Sequence, residues 1–419
     1  MIDIEKLRAE FADCNCGMSH SFGIEAVEVG SGITSRTGEI LKNNGFGSKL
    51  LVVADKNTIA AAEGVIEALE SEGFVLSYRM HEDLRVAEMS EVCAIEGLLG
   101  EVDGVISVGT GSLHDVARLA CARQNKRLCL FATAPSMDGF ASYSAPITDG
   151  CFKITYPAKS PEVIIADTRI LAKAPAYLKL AGFGDMVGKY VGLIDWQVSH
   201  LISGEYYCER VAALTREATD EIMALADRIT KEDEESAEAV FMGLLKTGIG
   251  MSLVKNSRPA SGTEHILSHF WECKKLLEGK LSDFHGKKVG VATLMILKEY
   301  QRLASFEDVD IVDEVIDWAA VKNAYGELYS DVEKLNNPPI SHEFDHFEIK
   351  KNWQKIREIV ASVPSYDEVL CKMKLAGCAT QADEIGVSDE LVELGMAYHP
   401  HMRHRLSLMR LSYLIKEKV

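Results

Sequence analysis

Through the first 170 residues, uninterrupted apolar runs of strand length alternate with helix-length segments whose apolar positions recur every three or four residues. That alternation predicts a parallel sheet with covering helices. Lys49-Leu50-Leu51-Val52-Val53-Ala54-Asp55 reads as a buried strand, followed by a helix from Asn57 to Leu69. Val75 to His81 is a second strand and Glu91 to Leu99 lies in a second helix. Asp103 to Gly109 is a third strand, Leu113 to Arg123 a helix, Leu128 to Ala134 a fourth strand and Val163 to Asp167 a fifth. After about Pro175 strand-like runs stop and long amphipathic segments take over, as in Val211 to Ile229 and Ala239 to Leu253. The pattern predicts an α/β domain over residues 1–175 and an all-α domain over 176–419, with a cleft at the boundary where ligands meet.

The 419 residues suffice for two or three domains with their own cores, so small stapled scaffolds are excluded. With 45 basic and 63 acidic residues the net charge is -18, and no long basic tract concentrates positive potential, which argues against nucleic acid as a partner. The start, Met1 to Arg8, lacks the apolar core of a signal peptide, and no stretch approaches the roughly 18 apolar residues of a membrane span. A cytoplasmic protein with no membrane partner is expected. Ten cysteines form no CxxC pair, and Cys14-Asn15-Cys16 is too tight for a zinc knuckle, so free thiols in a reducing compartment are expected.

Two sets of residues carry candidate chemistry. Gly109-Thr110-Gly111-Ser112 joins the third strand to a helix, where backbone N–H groups and the helix N-terminus can face an anion. Glycine-rich turns at such junctions also arise for steric reasons alone. Asp55 closes the first strong strand, where a carboxylate can accept from an adenosine ribose and repel a 2′-phosphate, favouring NAD over NADP; the alternative is a helix cap. In the helical half, His265 and His269 share a helix face, His285 follows in Phe284-His285-Gly286, and Asp185 stands after Gly184 where a helix is expected to begin. An aspartate with two imidazoles suits a divalent ion that keeps positions open for substrate. A hydrogen-bonded histidine pair and an N-capping aspartate are the plainer alternatives, and spacing alone does not assemble residues spread over this much chain.

Four segments, Gly109 to Ala117, Thr133 to Ser142, Ala181 to Lys189 and Ser257 to His265, resemble the glycerol-1-phosphate dehydrogenase family, in its bacterial form associated with arabinose operons. The family lies within the iron-dependent alcohol dehydrogenase and dehydroquinate synthase superfamily. The likeness runs from about residue 20 to at least residue 300. It implies a Rossmann-like dinucleotide-binding domain over 1–175 and a helical metal- and substrate-binding domain over 176–419, the dehydroquinate synthase-like fold. It places metal ligands at Asp185, His265 and His285, with His269 beside them, and a pyrophosphate cradle at Gly109, Thr110, Gly111, Ser112 and Asp115. Thr110 stands where many members have a third glycine, and His114 where an apolar residue or asparagine is usual. Thr133 and Ser136 would contact the cofactor. Asp138 would orient the substrate hydroxyl or relay its proton, and Lys189, one turn after Asp185, would meet a phosphate or a ribose. The basic segment His401 to Arg405 is taken as structural.

The reaction so implied is reversible reduction of dihydroxyacetone phosphate to sn-glycerol 1-phosphate with NADH, NADPH being a possible substitute. It uses one divalent metal; zinc, nickel and iron all occur in the superfamily, zinc and nickel being favoured here. A homo-oligomer is expected. The rivals are a glycerol or polyol dehydrogenase or carbocycle-forming synthase of the same superfamily, and a catalytically silent nucleotide sensor.

Overall fold

The computed structural model describes residues 4–418, so Met1, Ile2 and Asp3 of the expected leaderless start lie outside the described residues. Six strands form one parallel sheet: β1 (Ala26–Gly30), β2 (Lys49–Asp55), β3 (Val75–His81), β4 (Gly104–Gly109), β5 (Arg127–Ala132) and β8 (Val163–Asp167), in the spatial order β1-β8-β5-β4-β2-β3. An antiparallel hairpin, β6 (Ser144–Asp149) and β7 (Phe152–Pro157), lies between β5 and β8 in the chain.

Strand periodicity explains the layering, because successive side chains leave opposite faces. Leu51, Val53, Val105, Leu128 and Leu130 pack on one face with Val92 of α5 (Met89–Glu96) and Val116 of α6 (Gly111–Arg123). Leu50, Val52, Ile106, Val108, Cys129 and Phe131 pack on the other with Leu41 of α2 (Thr37–Asn43) and Leu69 of α4 (Val65–Ser71). Both faces are covered, which is why the central strands read as continuous apolar runs. The chain reverses its direction of travel across the sheet between β2 and β4, so the loops after these two strands flank a crevice at their carboxyl ends.

The remaining early helices are α1 (Ile4–Ala12), α3 (Lys56–Ala61) and α7 (Thr168–Lys173). The single helix expected over Asn57 to Leu69 is two: α3 ends at Ala61 and Gly64, at φ +91°, turns the chain into α4. The fourth strand stops at Ala132, short of the expected Ala134.

Five long helices follow: α8 (Ala176–Ser203), α9 (Glu209–Ala224), α10 (Glu234–Val254), α11 (Thr263–Leu277) and α12 (His285–Ala304), then shorter ones ending with Leu408–Leu411. They enclose a core that includes Phe183, Val187, Tyr190, Phe270, Trp271 and Leu297. The region is not wholly helical, since β9 (Val309–Ile311) pairs antiparallel with β10 (Ile415–Glu417). Contrary to the sequence expectation, α10 is long and apolar enough to cross a membrane, with a mean hydropathy of 1.4, yet 83% of that window is buried inside the protein. His401, Arg403 and Arg405 bond Arg410, Lys153 O and Ser261 O, tying the basic segment into the fold.

Candidate active site

Glycine sets the geometry of the site by letting backbones touch. A Cβ on Gly182 of α8 would stand 1.9 Å from Pro135 O, and one on Gly286 of α12 would stand 1.8 Å from Ala181 O. No side chain fits either contact, so α8 lies directly against the 133–138 loop on one side and the start of α12 on the other. These contacts bring Asp138, Asp185 and His285 together from three distant parts of the chain. Asp185 therefore sits in the middle of α8, not at a helix start as its sequence position suggests, and the N-capping alternative falls away.

Asp185, His265 and His285 each offer a ligand atom within 4.8 Å of the others. Asp185 is fully buried, and His265 Nε2 lies 3.4 Å from Asp185 Oδ1. His265 Nδ1 is 2.5 Å from Glu264 Oε1, an arrangement that holds a proton on Nδ1 and turns Nε2 toward Asp185. His285 Nδ1 is buried without a hydrogen-bond partner among the described residues. Burial, reinforced by His265, Lys153 and Lys288, pushes the His285 imidazole down to about 3, so it is neutral at physiological pH. Burial also opposes charge on Asp185, but Lys189, His265 and His285 together hold it well below the usual carboxylate range.

Lys189, expected to meet a phosphate or a ribose, is paired with two carboxylates in this structure. Its buried Nζ lies 2.7 Å from Asp185 Oδ1 and 2.6 Å from Asp138 Oδ2, while Asp138 N donates to Asp185 Oδ2 at 2.9 Å. Burial and the neighbouring Asp185 raise Asp138 from its ordinary value, and Lys189 opposes that shift.

Asp138, His265 and His285 line a cleft of ≈ 320 Å³ whose walls also include Asp55, Thr110, Ser136, Lys153 and Lys288, with Asp185 and Lys189 outside that lining. Thr110 caps α6 without a side-chain bond and the Ser112 hydroxyl donates to Arg85 O, leaving the first amides of α6 uncapped by a side chain. Asp55 caps α3 through Oδ1, accepting from Asn57 N and Thr58 N, and also lines the cleft. Asp115 lines it too, but its Oδ1 accepts from Arg118, which also binds the carbonyls of Gly139, Phe140 and Ser144. Thr133 is not a lining residue; its N donates to Gly109 O and steadies the loop.

A lysine pair in the cleft lining was not foreseen. Lys153 on β7 and Lys288 on α12 each place Nζ 2.7 Å from one oxygen of Glu272 on α11. Burial opposes the charge on Glu272, but the two lysines hold it well below its usual range. His269 also lines the cleft, its ring stacked on His285 at 5.6 Å between centroids, and burial with Lys153 pushes it well below its usual range. His265, His269 and Glu272 follow a helical i, i+4, i+7 spacing, and His285 and Lys288 are three apart, a signal the sequence did contain. Lys153 carried none, because its hairpin was not predicted.

The family model for iron-containing alcohol dehydrogenase matches residues 28–175. A glycerol-1-phosphate dehydrogenase [NAD(P)+] of Geobacillus stearothermophilus is 31% identical over 418 residues, covering 98% of this chain and 96% of that protein. Its namesake from Methanothermobacter thermautotrophicus is 34% identical over 272 residues, 65% of this chain and 76% of its own. The crystal structure of a probable glycerol dehydrogenase from Sinorhizobium meliloti 1021 superposes with a TM-score of 0.62 over 91% of this chain and 90% of that one, at 15% identity, a likeness of fold.

Proposed function

Since the chain belongs to the glycerol-1-phosphate dehydrogenase family, in the iron-containing alcohol dehydrogenase superfamily, we propose that it reversibly reduces dihydroxyacetone phosphate to sn-glycerol 1-phosphate with NAD(P)H. The observation that carries this reading is one cleft lined by an uncapped helix N-terminus, by His265 and His285 with Asp185 beside them, and by a lysine pair.

The donor set fits a divalent ion: a buried anionic carboxylate, a neutral imidazole with an unpartnered nitrogen, and an imidazole oriented by a carboxylate. Asp185, His265 and His285 would hold it, zinc or nickel before iron. When bound, the ion supplies Lewis-acid polarisation of a carbonyl, and reduced nicotinamide supplies the hydride. The chain's own residues do the rest. Glu264 fixes the His265 tautomer. Lys189 sits between Asp138 and Asp185 and offsets one of their two charges, which lets them lie side by side out of water. Asp138, lining the cleft beside them, orients the substrate hydroxyl. The α6 N-terminus at Thr110, Gly111 and Ser112 receives the pyrophosphate, Ser136 lies along the cofactor's path, and Asp55 favours NAD while NADP is accepted. Lys153 and Lys288, whose shared Glu272 keeps them in place, receive the substrate phosphate. The protein is taken to work in the cytoplasm as a homo-oligomer.

The test is turnover of dihydroxyacetone phosphate beside dihydroxyacetone, with NADH and with NADPH, after metal loading. A preference for the phosphorylated ketone is expected, with a product that an sn-glycerol-3-phosphate-specific dehydrogenase does not oxidise. Preference for the unphosphorylated ketone would overturn the substrate assignment.

A further inference from the structure

Outside the cleft lining, four soft donors meet. Cys14, Cys16 and His20 come from the segment between α1 and β1, and Cys208 from the cap of α9. Their ligand atoms all lie within 4.8 Å of one another. Cys14 Sγ is 3.7 Å from Cys208 Sγ, and His20 Nε2 is 3.5 Å from Cys208 Sγ and 3.1 Å from Cys16 Sγ. A tetrahedral zinc, with Zn–S of about 2.3 Å and Zn–N of about 2.0–2.1 Å, sets ligand–ligand edges of roughly 3.8 Å between sulfurs and roughly 3.5 Å between sulfur and nitrogen. Two of the three distances match those edges. The third is a few tenths of an ångström short.

The surroundings have the form of an outer shell. His20 Nδ1 lies 2.9 Å from Leu253 O at the end of α10, which places the proton on Nδ1 and directs Nε2 at the thiols. The Tyr206 hydroxyl is 3.0 Å from Cys16 Sγ, and Trp196 Nε1 donates to Tyr206 O at 2.7 Å, fixing that loop. Gly17, at φ +87°, provides the turn that lets Cys16 and His20 face the same point. Cys14-Asn15-Cys16 is too tight for a knuckle by itself, and the donor that completes the set, Cys208, lies 194 residues from Cys14, so the sequence pointed to free thiols.

We propose that Cys14, Cys16, His20 and Cys208 bind zinc in a closed, structural Cys3His site that clips the N-terminal segment to the start of α9 and the end of α10. With four protein donors it has no open position, in contrast to the three-donor site in the cleft. Binding releases the thiol protons to solvent. Joining segments almost 200 residues apart, the clip restrains the packing of Phe11, Val27, Val211 and Leu253, which share one apolar cluster.

The test uses the full chain with Asp185→Asn and His285→Ala together, which removes donors of the cleft site. Purified without chelator, this variant is expected to keep an equivalent of zinc per chain that an organomercurial releases. Exchanged into cobalt(II), it should show thiolate-to-cobalt charge-transfer absorption, a signature the Asp/His/His cluster cannot produce. Cys208→Ser and His20→Ala should each lose the zinc and change or abolish that absorption. Should those variants fail to fold, cobalt titration of the wild-type chain still decides the matter. The proposal is overturned if the wild-type chain gives no charge-transfer band, or if non-reducing peptide mapping finds Cys14 and Cys208 joined as a disulfide.

Discussion

The ammonium of Lys189 lies 2.7 Å from the carboxylate of Asp185, one turn back along the same helix, with both side chains fully buried. Burial alone would discharge both groups; instead Asp138 and Asp185 raise Lys189 well above its ordinary range. Removing one member of a buried ion pair leaves an uncompensated charge and costs about 3–5 kcal/mol. Lys189→Met should therefore lower the unfolding free energy of the metal-free protein by about that amount in urea titrations. A loss of under about 1 kcal/mol, the value of an exposed pair, would show that the three groups are not coupled as described.

Glu264 is not itself in the cleft lining; its Oε1 holds His265 Nδ1 and accepts from Gly262 N. Glu264→Gln keeps the size and an acceptor oxygen but removes the charge that holds the Nδ1 proton. Substitutions of this kind typically weaken metal affinity by about 10–100-fold. Competition with a metal-sensitive dye should show that weakening with little change in NADH affinity. Equal losses for metal and nucleotide would point to a general collapse of the site.

The parts of this fold that could be read in advance are those whose residues have one environment. β2, β4 and β5 are apolar throughout because both faces are covered. β1 has only five residues and half-exposed positions at Ala26, Glu28 and Gly30, and β7 exposes Ile154 and Thr155, so neither makes a continuous run. In the site, His265 and His269 were legible as a helical pair, whereas Asp185 and His285 depended on family resemblance. What joins them physically is the contact of Gly286 with Ala181, and a residue without a side chain leaves no pattern from which a partner 105 positions away can be inferred. The Lys153–Glu272 pair and the cysteine cluster were hidden for the same reason: their partners are remote, and each residue taken alone is ordinary.

Three buried histidines away from the metal-binding groups set the acid limit of stability. Burial pushes His114 down to about 3, His399 to about 4 and His401 to about 3. Folded values below the unfolded value of about 6.5 mean that the unfolded chain takes up the protons first, so stability is full above about pH 6.5 and declines as pH falls toward the folded values. Each histidine should cost about 2 kcal/mol by pH 5. Asp115 and Asp195, raised by burial to about 6, work the other way, each returning about 1 kcal/mol over the same interval. His399→Gln, whose amide can still donate to Gly395 O, should shrink the loss between pH 7 and pH 5 by about 2 kcal/mol. An unchanged slope would show that His399 titrates alike in both states.

Lys153 and Lys288 separate the proposed phosphate end of the cleft from the hydride end. A charge-assisted hydrogen bond contributes about 1.5–3 kcal/mol, so Lys288→Met should raise KM for dihydroxyacetone phosphate by roughly 10–100-fold. The same variant should leave the slow turnover of unphosphorylated dihydroxyacetone nearly unchanged, because that ketone presents no anion to the lysines. Lys153→Met should behave alike but with a smaller effect on folding, since Lys153 retains more solvent contact than the almost fully buried Lys288. In both variants Glu272 loses one of its two cations, so a parallel Glu272→Gln control removes the carboxylate while leaving both lysines for the phosphate. If Lys288→Met lowered turnover of both ketones by the same factor, the pair would be supporting the fold of α11 and α12, and the phosphate would have to bind elsewhere in the cleft.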